Sequence, residues 1–276
     1  MLETIKYATI SRIYIKDLKF YEDLEAHERL IFCKYYNVTF LPSIDKIHCY
    51  KLNSNSFQKM IPPKEIRCQP YDLLFNEETL SKFDNGNHDD VLFVMEDEKI
   101  KGVVHIVDFN SEFLYFEFYK LIHKMEKNLR ELFIKNNESN GAFIEWMRSK
   151  YFEANGRKKD FWSTRLHEFS PEDPIKASSA AKKIGDCSQF QAFYFSDLLL
   201  FGTDKNHLPA TIKKEIDSIN YIRNWVAHNK DVVTDRNEEE PLYNIEGLKK
   251  FIRNAMKFFD AFELIENQLK SLKKVQ

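Results

Sequence analysis

Ile212, Ile216, Ile219, Ile222 and Val226 recur at intervals of four, three, three and four residues. That rhythm fits a helix burying one stripe and excludes an alternating strand. At about 100° per residue, Asn220, Asn224 and His228 gather on a flank beside the stripe, while Arg223 lands close to its middle. An arginine there is costly unless a carboxylate, a phosphate or another subunit meets its guanidinium. Glu126 and Asp197 are candidate carboxylates, and in that case His228 would merely cap the helix end by bonding its last carbonyls. Either way, a cation, an amide and an imidazole converge on one short segment.

Two further stretches share this periodicity. Apolar residues at 114, 118, 121, 122, 125, 129, 132 and 133 predict a long helix, and Ile245, Leu248, Ile252, Met256, Phe259 and Phe262 predict a closing one. Between them, a helix is expected over Phe143–Phe152, a break at Asn155-Gly156, and an apolar helix over Cys187–Phe201 ended by Gly202-Thr203-Asp204. Pro209 opens the Arg223 helix in the first-turn position that proline tolerates, and Asn229 is placed to cap it before a polar loop carrying Glu238-Glu239-Glu240.

The first 110 residues read as mixed α/β. A helix is expected over Tyr21–Tyr36, strands over Val38–Pro42 and Ile44–Leu52, a helix over Asp72–Phe83 and a turn at Asn85-Gly86-Asn87. Strands over Asp90–Met95 and Ile100–Val107 follow, joined by a hairpin at Glu96–Lys99.

Composition narrows the function. Net charge is only −2 with 30% charged residues, so no global basic field draws the chain to nucleic acid and any such contact must be local. The densest basic triplet is Arg157-Lys158-Lys159, followed by Phe161 and Trp162, a pairing of cations and flat rings suited to phosphate attraction and base stacking. The bland alternative is a solvated loop beside a packed tryptophan. Cys33, Cys49, Cys68 and Cys187 lie far apart without metal-ligand spacing, which points to reduced thiols in a cytoplasm. The first twenty residues lack a signal-peptide apolar core, and no run reaches the roughly 20 apolar residues of a membrane span. There is no phosphate-cradling glycine loop, His-Glu-x-x-His helix or Gly-x-Ser-x-Gly elbow, so neither metal nor cofactor is predicted.

Arg223-Asn224-Trp225-Val226-Ala227-His228 resembles the Arg-Asn-x-x-x-His signature of the HEPN superfamily, helical domains of which many are metal-independent ribonucleases. Four helices with the motif ending the third match the order of that fold over about residues 112–272. The resemblance implies an endoribonuclease with Arg223, Asn224 and His228 as catalytic residues. It also implies a homodimer that pairs two motifs and a role as toxin or phage-defence effector with an antitoxin partner, while Arg157, Lys158, Lys159 and Lys230 are the basic residues expected to hold the RNA. Upstream, Lys101-Gly102-Val103-Val104-His105-Ile106-Val107-Asp108 resembles the closing strand of a CBS motif, with Asp108 at the ribose-binding position for an adenine nucleotide. His105 departs from that family's usual Thr or Ser, residues 22–52 resemble the first half of such a pair only faintly, and Asp108 could instead cap the following helix. The expected fold is therefore α+β: a CBS-like α/β domain over 1–111 and an all-α HEPN bundle over 112–276. The competing readings are a non-enzymatic nucleotide-binding regulator and an RNA-binding protein that does not cut.

Overall fold

The computed structural model describes residues 1–36, 38–84, 91–172, 174–228, 230–231 and 245–275. The chain is mixed α+β, with two small sheets near the N-terminus and a helical C-terminal region. Two compact units are present, and each is discontinuous in sequence: 1–120 with 221–256, and 121–220 with 257–276. They do not follow the expected boundary at 111/112. Among the described residues, no helix is long and apolar enough to cross a membrane.

The first unit opens with helix α1 (Leu2–Lys6) and helix α2 (Ala26–Tyr35), then an antiparallel meander of β1 (Phe40–Pro42), β2 (Cys49–Asn53) and β3 (Ser56–Met60). The strand expected from Ile44 starts five residues late. Asp45 is the reason: its Oδ1 accepts from the backbone N–H groups of Ile47 and His48, and Lys46 takes a φ of 59°, which folds 44–48 into a turn. β3 is an edge strand whose sequence, Ser-Phe-Gln-Lys-Met, has too little apolar alternation to predict a strand.

The second sheet has the order β4 (Arg67–Cys68), β5 (Leu92–Glu96) and β6 (Lys99–Val104), with α3 (Glu77–Asp84) between β4 and β5. β4 runs parallel to β5, and β5 pairs antiparallel with β6 around a turn in which Asp97 and Glu98 both have positive φ. The expected turn at 85–87, the strand start at Asp90, the Asn229 cap and the acidic run at 238–240 lie outside the described residues. Gly102 is required by a close approach. The chain at Tyr14-Ile15 crosses over it, Ile15 and Val103 exchange backbone hydrogen bonds of 2.8 and 3.1 Å, and a Cβ on Gly102 would sit 2.4 Å from the Ile15 carbonyl oxygen.

Helices then dominate: α4 (Glu112–Lys135), α5 (Asn140–Glu153), α6 (Arg157–Phe169), α7 (Pro174–Asp186), α8 (Phe195–Asp204), α9 (Ala210–Ala227) and α10 (Ile245–Val275). α4, α9 and α10 each begin in one unit and end in the other. In the first unit their rings close a cluster of Phe75, Phe118, Trp225 and Phe251, which is what draws 221–256 to the N-terminal sheets. In the second unit, Phe133, Phe143, Phe190 and Phe201 form a fully buried aromatic core.

Two expectations in that core are corrected. The helix expected from Cys187 starts at Phe195, because Phe190 adopts a φ of 64° and donates its N–H to Asn140 Oδ1 at 2.8 Å, holding 187–194 as irregular chain. Gly202 does not break the helix; it sits inside α8, where a Cβ would lie 2.7 Å from Leu208 Cδ1 and 3.1 Å from Phe133 Cε1. It is a glycine of packing, and the break comes after Asp204.

Candidate functional site

α9 places Arg223 and Asn224 close to its end, and His228 follows directly after its final residue, Ala227. The helix ends with the Lys230 N–H bonding the Trp225 carbonyl at 3.0 Å, a six-to-one closure typical of a helix C-terminus. Trp225 anchors the segment: its buried indole lies 4.7 Å from the Phe251 ring, 5.7 Å from Phe118 and 6.2 Å from Tyr115. Just past the helix, Asn110 Nδ2 donates to Asp231 Oδ1 at 2.8 Å and ties the exit chain to the start of α4. The motif is thus held by its apolar neighbours while its polar members stay outside the core.

Arg223 is half-buried and its Nη1 donates to Asn224 Oδ1 at 3.2 Å. Among the described residues, no carboxylate lies within 4.0 Å of its guanidinium. The two acids that could have neutralised it are engaged elsewhere: Glu126 pairs with Arg130 at 3.2 Å, and Asp197 with Arg165 at 3.2 Å. The locked salt bridge is therefore not formed, and the charge on Arg223 is available to an incoming anion. Asn224 is half-buried one turn before His228, whose side chain is exposed with no hydrogen-bond partner among the described residues. Lys230 is exposed beyond it. No family model, curated protein or solved structure matches this chain.

The remaining expected site residues fall elsewhere. Arg157, Lys158 and Lys159 belong to the second unit and Arg223 to the first. The triplet is the first turn of α6, not a loop. Trp162 is buried against Trp146 at 5.3 Å and takes no part in a surface, whereas Phe161 is exposed, as is Phe152, for which the sequence carries no signal. Nothing in a lone Phe at the end of an expected helix announces exposure.

Asp108 sits in a reciprocal cap. Its Oδ2 accepts from the His105 backbone N–H at 2.8 Å while His105 Nδ1 accepts from the Val107 N–H at 3.4 Å, closing the 3₁₀ turn Ile106–Asn110. It does not cap α4, where Ser111 Oγ meets the Leu114 N–H instead. Burial pushes the Asp108 carboxyl up to about 6, against the lowering effect of the His105 hydrogen bond. A folded-state value above the unfolded one stabilises the protein fully below the unfolded value of 3.8 and loses that contribution as pH rises through about 6. Asp108→Asn keeps an acceptor without the charge. Urea titrations are expected to show wild type losing up to about 3 kcal/mol relative to the variant across that window, less after solvent screening. Parallel curves for the two proteins would refute the assignment.

Among the described residues, no group of three or more His, Cys, Asp or Glu side chains is placed to hold a metal ion. One cavity of about 600 Å³ lies in the second unit, lined by Asn140, Ile144, Phe169, Ala181 and Gly185 among others. None of the expected site residues lines it.

Proposed function

We propose that the chain is an endoribonuclease of the HEPN type, with Arg223, Asn224 and His228 as its catalytic set and two copies pairing to complete the site. The observation that carries the reading is that a guanidinium and an imidazole stand at the end of one helix with no carboxylate within 4.0 Å of the guanidinium among the described residues, the two acids expected from the sequence being paired with Arg130 and Arg165.

The chemistry follows from those groups. A base removes the proton of an RNA 2′-hydroxyl, its oxygen attacks the adjacent phosphorus, the P–O5′ bond breaks, and an acid delivers a proton to the departing 5′-oxygen. An imidazole has one nitrogen that can accept a proton and one that can donate, so His228 suits either proton transfer. Arg223 offers a planar fork to the phosphate oxygens as negative charge builds. Asn224 can orient the imidazole or donate to phosphate. One chain supplies one such histidine and the reaction uses two proton-transfer groups, which is why a homodimer joining two motifs completes the scheme. Lys230 adds positive charge beside the motif, and Arg157, Lys158 and Lys159 add it on the second unit. The toxin or phage-defence role and an antitoxin partner rest on the resemblance alone.

The purified protein is expected to cut labelled RNA in the presence of EDTA, leaving 2′,3′-cyclic phosphate and 5′-hydroxyl ends. A panel of single-stranded and hairpin RNAs left intact would overturn the proposal. The regulatory reading draws support from the strand, helix, strand, strand order of β4, α3, β5 and β6, but the Asp108 oxygen that would meet a ribose already accepts from the chain's own backbone.

A further inference from the structure

We infer that the corner between α5 and α6 grips single-stranded RNA, with exposed phenylalanine rings stacking on bases and the cations of the first α6 turn holding the phosphates. This deepens the nuclease reading by naming its substrate form, and rests on that reading for its biological role.

The corner carries three cations in succession. Its neighbours in the second unit are paired: Lys150 with Glu153 and Asp204, Lys183 with Glu168, Arg165 with Asp197. Arg157, Lys158 and Lys159 are exposed, and among the described residues none has a carboxylate within 4.0 Å. Local stability does not account for them. Cations at a helix N-terminus face the positive end of its dipole, which Asp160 in the same turn offsets only in part, and the preceding Gly156 brings no side-chain cap. Three adjacent cations placed where the helix disfavours them are relieved by a polyanion.

Rings accompany the charge. Phe152 is 72% exposed and Phe161 43%, and burying either would gain apolar contact that the isolated chain forgoes. Phe161 lies one turn beyond Arg157 and Lys158 on the same helix, so ring and cations share a face. The Arg165 guanidinium sits 5.1 Å from the Phe161 ring and Lys159 Nζ 5.1 Å from the Tyr151 ring, which steadies the flat surfaces. Bases stack on such rings regardless of identity, and a duplex, whose bases are already stacked, offers them none. An anionic membrane fits less well: an interfacial helix needs a continuous apolar face, and the outer face of α6 is interrupted by exposed Ser163, Thr164 and His167. The half-exposed Tyr21, Tyr50 and Phe57 cluster of the first unit is a poorer platform, since Asp45 lies beside Lys59 and Asp23 bonds the Tyr21 phenol, presenting acid to any phosphate.

The test uses the full chain with His228→Ala, so that RNA survives, and reads fluorescence anisotropy with a short labelled oligouridylate, a duplex of equal length and phosphatidylserine vesicles. Single strands are expected to bind more tightly than duplex. Phe161→Ala is expected to weaken single-strand binding by roughly 5- to 100-fold with the salt dependence kept. Replacing Arg157, Lys158 and Lys159 by glutamine is expected to reduce the salt slope by about 2. Phe152→Ala, at the more exposed ring, supplies a second reading with little risk to folding. Equal binding by these variants, preference for duplex, or binding to vesicles alone overturns the grip. Failure of the grip leaves cutting by the wild-type chain intact, whereas failure of the nuclease reading leaves RNA uncut but bound, so the two are told apart.

Discussion

Alanine at His228 or at Arg223 is expected to slow RNA cleavage by at least ~100-fold, since losing a proton-transfer group or one charge-stabilising donor typically costs 10² or more. Folding should be spared. His228 is exposed with no side-chain bond among the described residues, and Arg223 gives up one hydrogen bond to its neighbour Asn224 and no ion pair. Arg223→Lys separates charge from geometry: it keeps the positive charge but loses the planar fork, and activity between wild type and the alanine variant is expected. Initial rates on labelled RNA, read beside thermal melts, decide it. Equal cutting by wild type and all three variants would mean that the helix end is not the catalytic centre.

Trp225→Ala is expected to act in the opposite manner, destabilising the first unit by about 3–5 kcal/mol through the cavity it leaves. The indole fills the space between Phe118, Phe251 and Tyr115, and truncation removes contacts to all three. Its Nε1 has no hydrogen-bond partner among the described residues, so Trp225→Phe loses ring area but no polar contact and should cost far less. Urea unfolding followed by far-UV circular dichroism measures both. A Trp225→Ala midpoint equal to that of wild type would show that the ring cluster does not hold the helix end in place. Residues two and three positions from Trp225 are thus expected to affect cleavage while Trp225 itself affects stability.

The long helices α4, α9 and α10 were legible because their periodicity is a direct imprint of burial, whereas α6 and α7 were not, so that seven helices follow residue 111 among the described residues where four were expected and the motif ends the sixth of them, not the third. α4 and α9 fall within a few residues of the apolar rhythm that predicts them. What escaped was set by contacts distant in sequence. Phe190 turns back on itself because Asn140, fifty residues away, accepts its N–H, and the apolar run around it therefore reads as helix when it is not. Gly202 reads as a breaker because the ring of Phe133 that forbids it a side chain is invisible locally. β3 is an exposed edge, and edges carry little apolar signal. At the site, Arg223, Asn224 and His228 stood out by type and spacing, but whether the arginine was free depended on where Glu126 and Asp197 spent their charge, which one-dimensional spacing does not record.

The interleaving of the two units has a practical meaning for anyone dissecting the protein. A fragment stopping near residue 111 keeps both sheets yet discards Phe118, Trp225 and Phe251, leaving Phe75 without the rings that cover it. A fragment beginning at 112 retains the motif and the rings around Trp225 but loses Phe75, which packs on Phe118 and Phe251. No single scissor cut yields a self-sufficient half, so gain or loss of activity in this chain is better sought by point substitution than by truncation.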